Sequence, residues 1–395
     1  MVGRKGWQLK ILNERSMAAV LSSALGLYLH IPFCGSICHY CNFNRGLFDE
    51  ALKIRYLEAL EDEIRRAGDG ARVDTIYFGG GTPSLLEPQE VSCLLEACRE
   101  AFDVTDTAEV SFEVNPETAT ARNLNGWRSA GVTRLSFGVQ SFRDVELQRL
   151  GRRHDAASAR DAFKTARVVG FEDINLDLML WLPGQALADC RASIEALVEL
   201  RPDHASLYML ELYPNSPLRE EMARAGSSLA PDDDAATMYL EALDLTDAAG
   251  YEQYEISNVA LPGCRCRHNL KYWEDGEWLG FGCGAHSTRG KYRWKNLADT
   301  ARYVEAISKG ERVAADHCVR SEAERLGDAL FTGLRLVEGV DLARVEARYG
   351  VDVMARYGLS LQDFEEAKVL MHADGRLRLT RSGMLLSNEI MSAFV

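Results

Sequence analysis

The sequence has 395 residues, of which 47% are hydrophobic and 26% are charged. This balance is typical of globular proteins with a sizeable core, and it excludes a chain that is disordered throughout. The formal net charge of −14 disfavours general nucleic-acid binding, because an acidic surface repels phosphate backbones. We expect no membrane span, since no apolar run reaches the roughly 18 residues that a span needs.

Residues 1–24 are basic and then mildly apolar, and they run directly into a first strand-like segment. We expect an N-terminal tail here, with a cleaved signal or transit peptide as the alternative. Three of the ten cysteines crowd into one short run and the others are scattered. This distribution favours a metal or cluster site over disulfide bonds and indicates a reducing compartment, so we expect a cytoplasmic protein.

Strand-like and helix-like segments alternate from residue 26 to about residue 260. The strand candidates are GLYLHIPF, VDTIYFGGG, AEVSFEVN, RLSFGVQS, INLDLMLWLP and ASLYMLEL. Most are near-continuous apolar runs, which are typical of parallel strands buried on both faces. Six βα units in succession predict an α/β fold, a partial (β/α)6 barrel over residues 25–250 rather than a doubly wound sheet.

The remaining sequence has a different character. Residues 251–309 are rich in Tyr, Pro, Gly and Cys and contain the segment HNLKYW, so we expect a loop-rich extension. From residue 310 the chain is charged and of helical period, and it closes with a short hairpin-like segment. We expect residues 310–395 to form a separate small α-rich domain of the winged-helix type.

The strongest chemical signal is a C-x3-C-x2-C run of Cys34, Cys38 and Cys41, which starts where the first predicted strand ends. Thiolates are soft ligands that select iron–sulfur clusters or zinc. A structural zinc site usually has four protein ligands, whereas three cysteines without a local fourth leave one metal position open. This pattern favours an iron–sulfur cluster with an exchangeable ligand. A zinc site completed by a distant Cys or His is the alternative.

The spacing of these cysteines, on a βα loop at the head of a βα series, resembles the radical S-adenosylmethionine (SAM) superfamily. The resemblance implies a redox-active [4Fe–4S] cluster on the three cysteines. It also implies that the amino and carboxylate groups of SAM chelate the open iron. In that superfamily an electron from the cluster cleaves the sulfonium of SAM and yields an adenosyl radical, while the protein supplies orientation and a dry pocket.

A glycine-rich segment, Gly79-Gly80-Gly81-Thr82-Pro83, follows the second predicted strand. Glycines allow the backbone to approach a ligand closely because they lack a Cβ. The resemblance implies that Gly80, Gly81 and Thr82 bind the amino group of the methionine moiety. An ordinary glycine turn after a strand is the alternative.

Polar residues occur on three of the otherwise apolar strands. Glu113 and Gln140 lie at the ends of the third and fourth strands, and Asp177 lies inside the fifth. Because such groups are costly to bury without a partner, we expect them to bind the ribose and methionine moieties of SAM. Neighbouring backbone groups could satisfy them instead.

Two further positions are candidates for the same pocket. Arg152 or Arg153 could pair with the carboxylate of SAM, and the sequence does not choose between these neighbours. Tyr28, on the first strand, could pack against the bound methionine or belong to the core.

Taken together, the segments YLHIPFC, GGGTPSLL, FEVNP, SFGVQSF, DLMLWLPGQ and HNLKYW resemble the oxygen-independent coproporphyrinogen III oxidase-like group. The resemblance extends from about residue 25 to the C-terminus. This group contains the true oxidase, which decarboxylates two propionates, and a heme chaperone branch. The oxidase has a fourth cysteine two residues after the third, where this sequence has Phe43. The H-N-x-x-Y-W motif at residues 268–273 is likewise a feature of the chaperone branch.

Within this motif, His268 is a candidate heme contact, because a neutral imidazole is a common axial ligand of heme iron. Tyr272 and Trp273 could supply flat apolar contacts to a macrocycle. Cys283 and His286, in a following glycine-rich stretch, are further candidates for the same mouth of the barrel. A histidine that is simply packed within its loop is the alternative for His268.

These observations predict a heme chaperone that carries a [4Fe–4S] cluster and SAM and transfers heme to an acceptor protein. The alternative is an oxygen-independent coproporphyrinogen III oxidase, against which Phe43 argues, and a third is another radical SAM enzyme such as a methylase. Whether the protein is an enzyme is left open, and no catalytic residue is assigned. Expected partners are heme or a porphyrin, an acceptor protein and an electron donor; a homodimer is also open.

Overall fold

The computed structural model describes residues 24–214, 216–225 and 228–394. The N-terminal tail expected over residues 1–24 therefore lies, apart from Ala24, outside the described residues. In the described part of the chain, no helix is both long and apolar enough to cross a membrane.

The strands are β1 (Leu25–Ile31), β2 (Phe33–Cys34), β3 (Gly46–Leu47), β4 (Arg72–Gly80), β5 (Asp103–Val114), β6 (Arg134–Gln140), β7 (Asp173–Leu180), β8 (His204–Met209), β9 (Glu252–Glu255), β10 (Asn258–Ala260), β11 (Trp278–Phe281), β12 (His286–Arg289), β13 (Tyr292–Asn296), β14 (Ala314–Val319), β15 (Val340–Asp341), β16 (Leu370–Ala373) and β17 (Arg376–Leu379).

The α-helices are α1 (Glu50–Ala67), α2 (Pro88–Ala101), α3 (Ala121–Ala130), α4 (Asp144–Arg149), α5 (Ala156–Val169), α6 (Leu187–Leu200), α7 (Pro217–Ala225), α8 (Asp232–Ala248), α9 (Arg267–Trp273), α10 (Thr300–Ser308), α11 (Glu322–Gly333), α12 (Leu342–Tyr349), α13 (Val353–Glu366), α14 (Arg381–Met384) and α15 (Ser387–Met391). Short 3-10 turns lie at Pro83–Leu85, Pro116–Thr118 and Ser392–Phe394.

A 12-stranded sheet forms the body of the protein, in the order β14-β13-β12-β11-β1-β4-β5-β6-β7-β8-β10-β9. Its centre consists of six parallel neighbours, β1 and β4 to β8. Helices follow these strands along the chain. The sheet does not close on itself among the described residues, because β14 and β9 remain at opposite ends. The prediction of a partial (β/α)6 barrel is confirmed.

The central strands form because their side chains are buried on both faces. In β1, Leu27, Leu29 and Ile31 are fully buried on one face, and His30 is buried on the other. The covering helices present one apolar face each, and α1 buries Tyr56, Leu60 and Ile64 at a spacing of four residues. This packing holds the carboxyl ends of six strands at one rim of the sheet.

The expectation of a loop-rich segment at residues 251–309 differs from the structure. Strands β9 and β10 extend one end of the sheet. At the other end, β11 pairs in parallel with β1, and β12 and β13 then follow as antiparallel neighbours. These strands are only three to five residues long and carry Gly, Lys and Arg. They therefore lack the apolar run that marks a strand in a sequence.

A buried carboxylate attaches this sheet extension to the barrel. Glu63 on α1 accepts hydrogen bonds from the Gly282 amide at 2.8 Å, the Asn296 side-chain amide at 2.7 Å and the Tyr303 hydroxyl at 2.6 Å. Burial raises the pKa of Glu63 to about 7, although all three donors favour the ionised form. The network fixes the position of β11 to β13 relative to α1.

The C-terminal part follows β14, which pairs with β13 although it lies beyond the boundary expected at residue 310. Helices α11 to α15 then surround a three-stranded sheet in the order β15-β17-β16. Arg335 links this part to the barrel: its guanidinium donates to Glu255 at 3.0 Å and covers the ring of Trp273 at 4.4 Å. The end of the HNLKYW segment therefore packs against the C-terminal part.

Candidate functional site

A cavity of about 360 Å³ opens at the rim where the parallel strands end. Its lining includes every residue that the sequence predicts for the cluster and for SAM except Tyr28. These residues are Cys34, Cys38, Cys41, Gly80, Gly81, Thr82, Glu113, Gln140, Arg152 and Asp177. Segments separated by more than 100 residues in the chain thus meet at one place, because parallel strands bring their carboxyl ends to the same edge.

The three cysteines lie on a loop that is closed at its base by a short ladder. Strand β2 pairs with β3, and the Phe48 amide donates to the Cys34 carbonyl at 2.9 Å. Within the loop, the Cys41 amide donates to the Cys38 carbonyl at 3.3 Å. All three thiols are free. Burial raises the pKa of the Cys34 and Cys41 thiols, so a positive group is needed to favour their thiolate forms.

Arg45 supplies positive charge to Cys34 and Cys41. Of the two neighbouring arginines at 152 and 153, it is Arg152 that lies beside Cys38. The Arg152 guanidinium donates to Cys38 Sγ at 3.4 Å, to Asn115 Oδ1 at 2.8 Å and to the Gly138 carbonyl at 2.7 Å. Its Nε is buried and has no partner among the described residues. Arg153 is exposed and does not line the cavity.

The glycine-rich segment lies against the cysteine loop at a distance that only glycine permits. A Cβ on Gly81 would come within 2.7 Å of the Phe33 carbonyl and 3.0 Å of Cys34 Sγ. Gly80 has a φ of 119°, which L side chains rarely adopt. The Thr82 hydroxyl accepts from Asn115 Nδ2 at 3.3 Å. The segment is therefore a backbone cradle beside the thiols.

Two carboxyl groups face the cavity from β5 and β7. Glu113 accepts from the Tyr77 hydroxyl at 3.0 Å and the Gly80 amide at 3.1 Å, and Asp177 accepts from Asn175 Nδ2 at 2.7 Å. Burial, together with the negative charge of Asp177, raises the pKa of Glu113 to about 7. Burial also raises the pKa of Asp177. A cationic ligand would lower the pKa of both carboxyl groups, because a nearby positive charge favours their ionised forms.

Gln140 lies at the end of β6 with a φ of 70°, an uncommon conformation for a residue other than glycine. A Cβ on the preceding Gly138 would lie 3.2 Å from Gln140 Nε2 and 3.5 Å from Arg152 Nη2. The turn therefore brings the amide next to the arginine at the rim of the cavity.

Polar residues that line the cavity form a hydrogen-bonded chain that is not among the predicted site residues. Asn175 donates to Ser136 at 2.7 Å, its oxygen lies 2.7 Å from His204 Nδ1, and His204 Nε2 lies 2.8 Å from the Tyr254 hydroxyl. A signal for them exists, because polar residues occur two positions apart in NLDLM of β7 and HASLY of β8. Residues two apart on a strand share a face.

The donor set fits a cluster with SAM beside it. In the described residues no three His, Cys, Asp or Glu side chains converge on a point that could hold one metal ion. This finding is compatible with a [4Fe–4S] cluster, whose cysteine ligands bind different iron atoms. Arg152, with its unpartnered Nε, and the Gly81 cradle lie next to the thiols, and the two carboxyl groups of raised pKa line the same cavity.

A second cavity, of about 550 Å³, adjoins the first and shares Gly80, Glu113 and Phe43 with it. Tyr28 lines this second cavity. Its hydroxyl lies 3.1 Å from Nδ1 of His30. Tyr28, predicted to contact the methionine moiety, therefore lines the second cavity and not the first.

His268 is fully enclosed within the protein. Its Nδ1 lies 2.9 Å from the Thr75 hydroxyl, its Nε2 lies 2.8 Å from the Tyr272 hydroxyl, and its ring stacks on Tyr77 at 5.2 Å. Burial lowers the pKa of His268 to about 3, so its ring is neutral. Both nitrogens are occupied and the ring lines neither cavity, whereas Tyr272 does line the second cavity.

Comparisons with known proteins agree with this geometry. The sequence signature of the Radical SAM superfamily matches residues 28–197, and that of the HemN C-terminal domain matches residues 321–386. The chain is 36% identical over 374 residues to the heme chaperone HemW of Bacillus subtilis, covering 93% of this chain and 98% of that protein.

It is also 40% identical over 267 residues to the heme chaperone HemW of Escherichia coli, covering 66% of this chain and 69% of that protein. Among solved structures, coproporphyrinogen III oxidase (HemN) from Escherichia coli superposes with a TM-score of 0.83, covering 94% of this chain and 90% of the other, at 24% identity. This likeness is one of fold. The resemblance inferred from the cysteine spacing is thereby confirmed, and the chain belongs to the HemW family of the radical SAM superfamily.

Proposed function

We propose that this protein is a heme chaperone, which binds heme and transfers it to an acceptor protein. The observation that carries this proposal is the similarity to the HemW heme chaperones over 93% of the chain. The sequence at the cluster loop supports it, because Phe43 stands two residues after Cys41, where the oxidase has a further cysteine. Phe43 is 63% exposed, so it is not required for the core and presents a flat apolar surface.

We further propose that Cys34, Cys38 and Cys41 hold a [4Fe–4S] cluster. In this assignment Arg152 donates a hydrogen bond to the sulfur of Cys38, because its guanidinium lies 3.4 Å from that atom. The close approach of Gly81 shields Cys34 from water. When bound, the cluster supplies a one-electron donor for SAM.

For SAM we propose a site formed by the glycine-rich segment and the strand ends. The Gly80–Thr82 backbone and the Glu113 carboxylate would bind the amino group, since a cation favours the ionised form of a buried carboxyl group. Gln140 and Asp177 would bind the hydroxyl groups of the ribose. The unpartnered Nε of Arg152 would donate to the carboxylate of SAM. Tyr28 would close the methionine end.

The role we propose for His268 follows from its two hydrogen bonds. It holds the Tyr272 hydroxyl in place at the second cavity and acts on heme through that residue. We propose that an electron-donor protein and a heme acceptor bind near the rim. We also propose that the part of the chain after β14 forms a separate domain, and that a homodimer forms in the presence of cofactors. We place the protein in the cytoplasm, because all ten cysteines are free.

The test is a heme titration of the anaerobically reconstituted full-length protein, followed by absorbance in the Soret region. We expect saturable binding that approaches one heme per chain, and release of that heme to an apo-acceptor such as apocytochrome b562. In parallel, the protein is incubated with coproporphyrinogen III, SAM and a reductant. Unsaturable heme association together with porphyrinogen decarboxylation would contradict the chaperone proposal and support the oxidase.

A further inference from the structure

The second cavity has two basic side chains on one wall. His286 on β12 and Lys295 on β13 are direct partners across the antiparallel pair, so both side chains lie on the same face of the sheet. Both line the cavity. The His286 side chain is exposed and makes no hydrogen bond among the described residues, and Lys295 forms no ion pair there. An open imidazole and an open ammonium group therefore face the same space.

Aromatic side chains also line this cavity. Phe43, Tyr272 and Trp278 line it, and the Tyr272 and Trp278 rings meet edge to face with centroids 4.7 Å apart. Trp278 is fixed by a hydrogen bond of 3.0 Å from its Nε1 to the His286 carbonyl. The cavity of about 550 Å³ thus combines flat apolar surfaces with a few polar groups, which is the composition of sites for large planar ligands.

His286 differs from the other histidines near this site. His30 also lines the cavity, but its Nδ1 lies 3.1 Å from the Tyr28 hydroxyl and its Nε2 lies 2.7 Å from the Asn44 carbonyl. His268 has both nitrogens occupied as well. Partial burial of the ring and the positive charges of Lys295 and Arg293 lower the pKa of His286, against the opposing charge of Asp316, and favour the neutral ring that binds a metal. His286 is therefore the histidine of this cavity that has a nitrogen available in the described structure.

We propose that the second cavity is the heme site, with His286 as an axial ligand of the heme iron and Lys295 as the partner of a heme propionate. Phe43, Tyr272 and Trp278 contact the macrocycle. The proposal rests on the proposed heme chaperone function and adds the location and the ligands. Because this cavity shares Gly80, Glu113 and Phe43 with the cofactor cavity, bound heme would lie beside SAM.

The test compares His286→Ala with His317→Ala in the full-length protein. His317 is a matched control, since it is exposed on the adjoining β14 but lies opposite Trp294, which is on the other face of β13 from Lys295. Each variant is titrated with heme, and the ferric complex is examined by absorbance and electron paramagnetic resonance. Iron and sulfide content and far-ultraviolet circular dichroism report whether the cluster and the fold are intact.

We expect His286→Ala to weaken heme binding about tenfold or more and to change the ligand-field signature of ferric heme. His317→Ala should leave both unchanged. Lys295→Met should weaken binding of heme but not of a heme ester whose propionates are masked. If His286→Ala keeps the affinity and spectrum of the wild type, the assignment is overturned while the chaperone function stands. If the wild type itself does not bind heme stoichiometrically, the chaperone function fails first.

Discussion

His268 and Tyr272, one helical turn apart on α9, are joined by a hydrogen bond of 2.8 Å between the imidazole Nε2 and the phenol hydroxyl. The other nitrogen of His268 lies 2.9 Å from the hydroxyl of Thr75, on the barrel strand β4. The pair therefore connects the barrel to the wall of the second cavity. This relationship gives the HNLKYW segment a structural role that differs from direct ligation of iron.

Replacing His268 with alanine should lower stability and affect heme only indirectly. Two buried hydroxyl groups would lose their partner, which predicts a decrease of about 1–3 kcal/mol in the free energy of unfolding. Denaturant unfolding of the apoprotein measures this decrease. Tyr272→Phe should reproduce the change in heme affinity with a smaller loss of stability. Loss of the axial-ligand signature in His268→Ala, with unchanged unfolding, would instead make His268 a direct ligand.

Arg152→Gln should impair the cluster, whereas Arg153→Gln should not. The first substitution removes the positive charge beside Cys38 and the hydrogen bonds to Asn115 and Gly138. The second replaces an exposed neighbour. We expect Arg152→Gln to retain substantially less iron and sulfide after anaerobic reconstitution, measured per chain beside the control. Equal cluster content in the two variants would show that the guanidinium does not stabilise the thiolates.

Much of the barrel could be predicted because short stretches of the sequence carry the patterns that identify its strands and loops. The buried strands are continuous apolar runs, and the cysteines and the glycine-rich segment follow two of them directly. Parallel strands then bring Glu113 and Gln140, which lie at strand ends, to the same edge as Asp177 inside β7. These features depend on residues close in sequence and on one rule of topology.

The rest depends on contacts between distant segments. His268 bonds Thr75 across 193 residues, and Glu63 bonds Asn296 across 233 residues. Which of Arg152 and Arg153 lies beside Cys38 depends on how the segment after α4 packs against the cysteine loop. The pairing of His286 with Lys295 depends on the register of a short hairpin without an apolar pattern. No local periodicity encodes such contacts, so the second cavity could not be located from the sequence.

Glu113 should make the stability of the apoprotein depend on pH. Burial, together with Asp177, raises its pKa from 4.5 to about 7 in the folded state. The contribution of Glu113 to the free energy of unfolding is therefore fully present below the pKa of the unfolded chain and is lost as the pH rises through about 7. The loss amounts to at most about 3 kcal/mol. Denaturant unfolding should show the stability of the wild type falling relative to that of Glu113→Gln as the pH rises across this range.

Glu58→Gln serves as the control for Glu113→Gln, because Glu58 is exposed on α1. Its stability should parallel that of the wild type at every pH. A non-reactive SAM analogue should flatten the profile of the wild type, since its amino group would favour the ionised carboxylate. A profile of Glu113→Gln that stays parallel to the wild type would rule out a raised pKa for Glu113.

Glu63→Ala should destabilise the sheet extension that carries His286 and Lys295. The substitution leaves the buried donors of Gly282, Asn296 and Tyr303 without their acceptor, which predicts a loss of about 3 kcal/mol or more.

Glu58→Ala is the matched control for Glu63→Ala on the same helix and should have little effect. Because the extension forms one wall of the second cavity, Glu63→Ala should also increase hydrogen exchange in β11 to β13. It should weaken heme binding more than it impairs reconstitution of the cluster. Heme binding unchanged despite faster exchange in these strands would place the heme outside the wall formed by the extension.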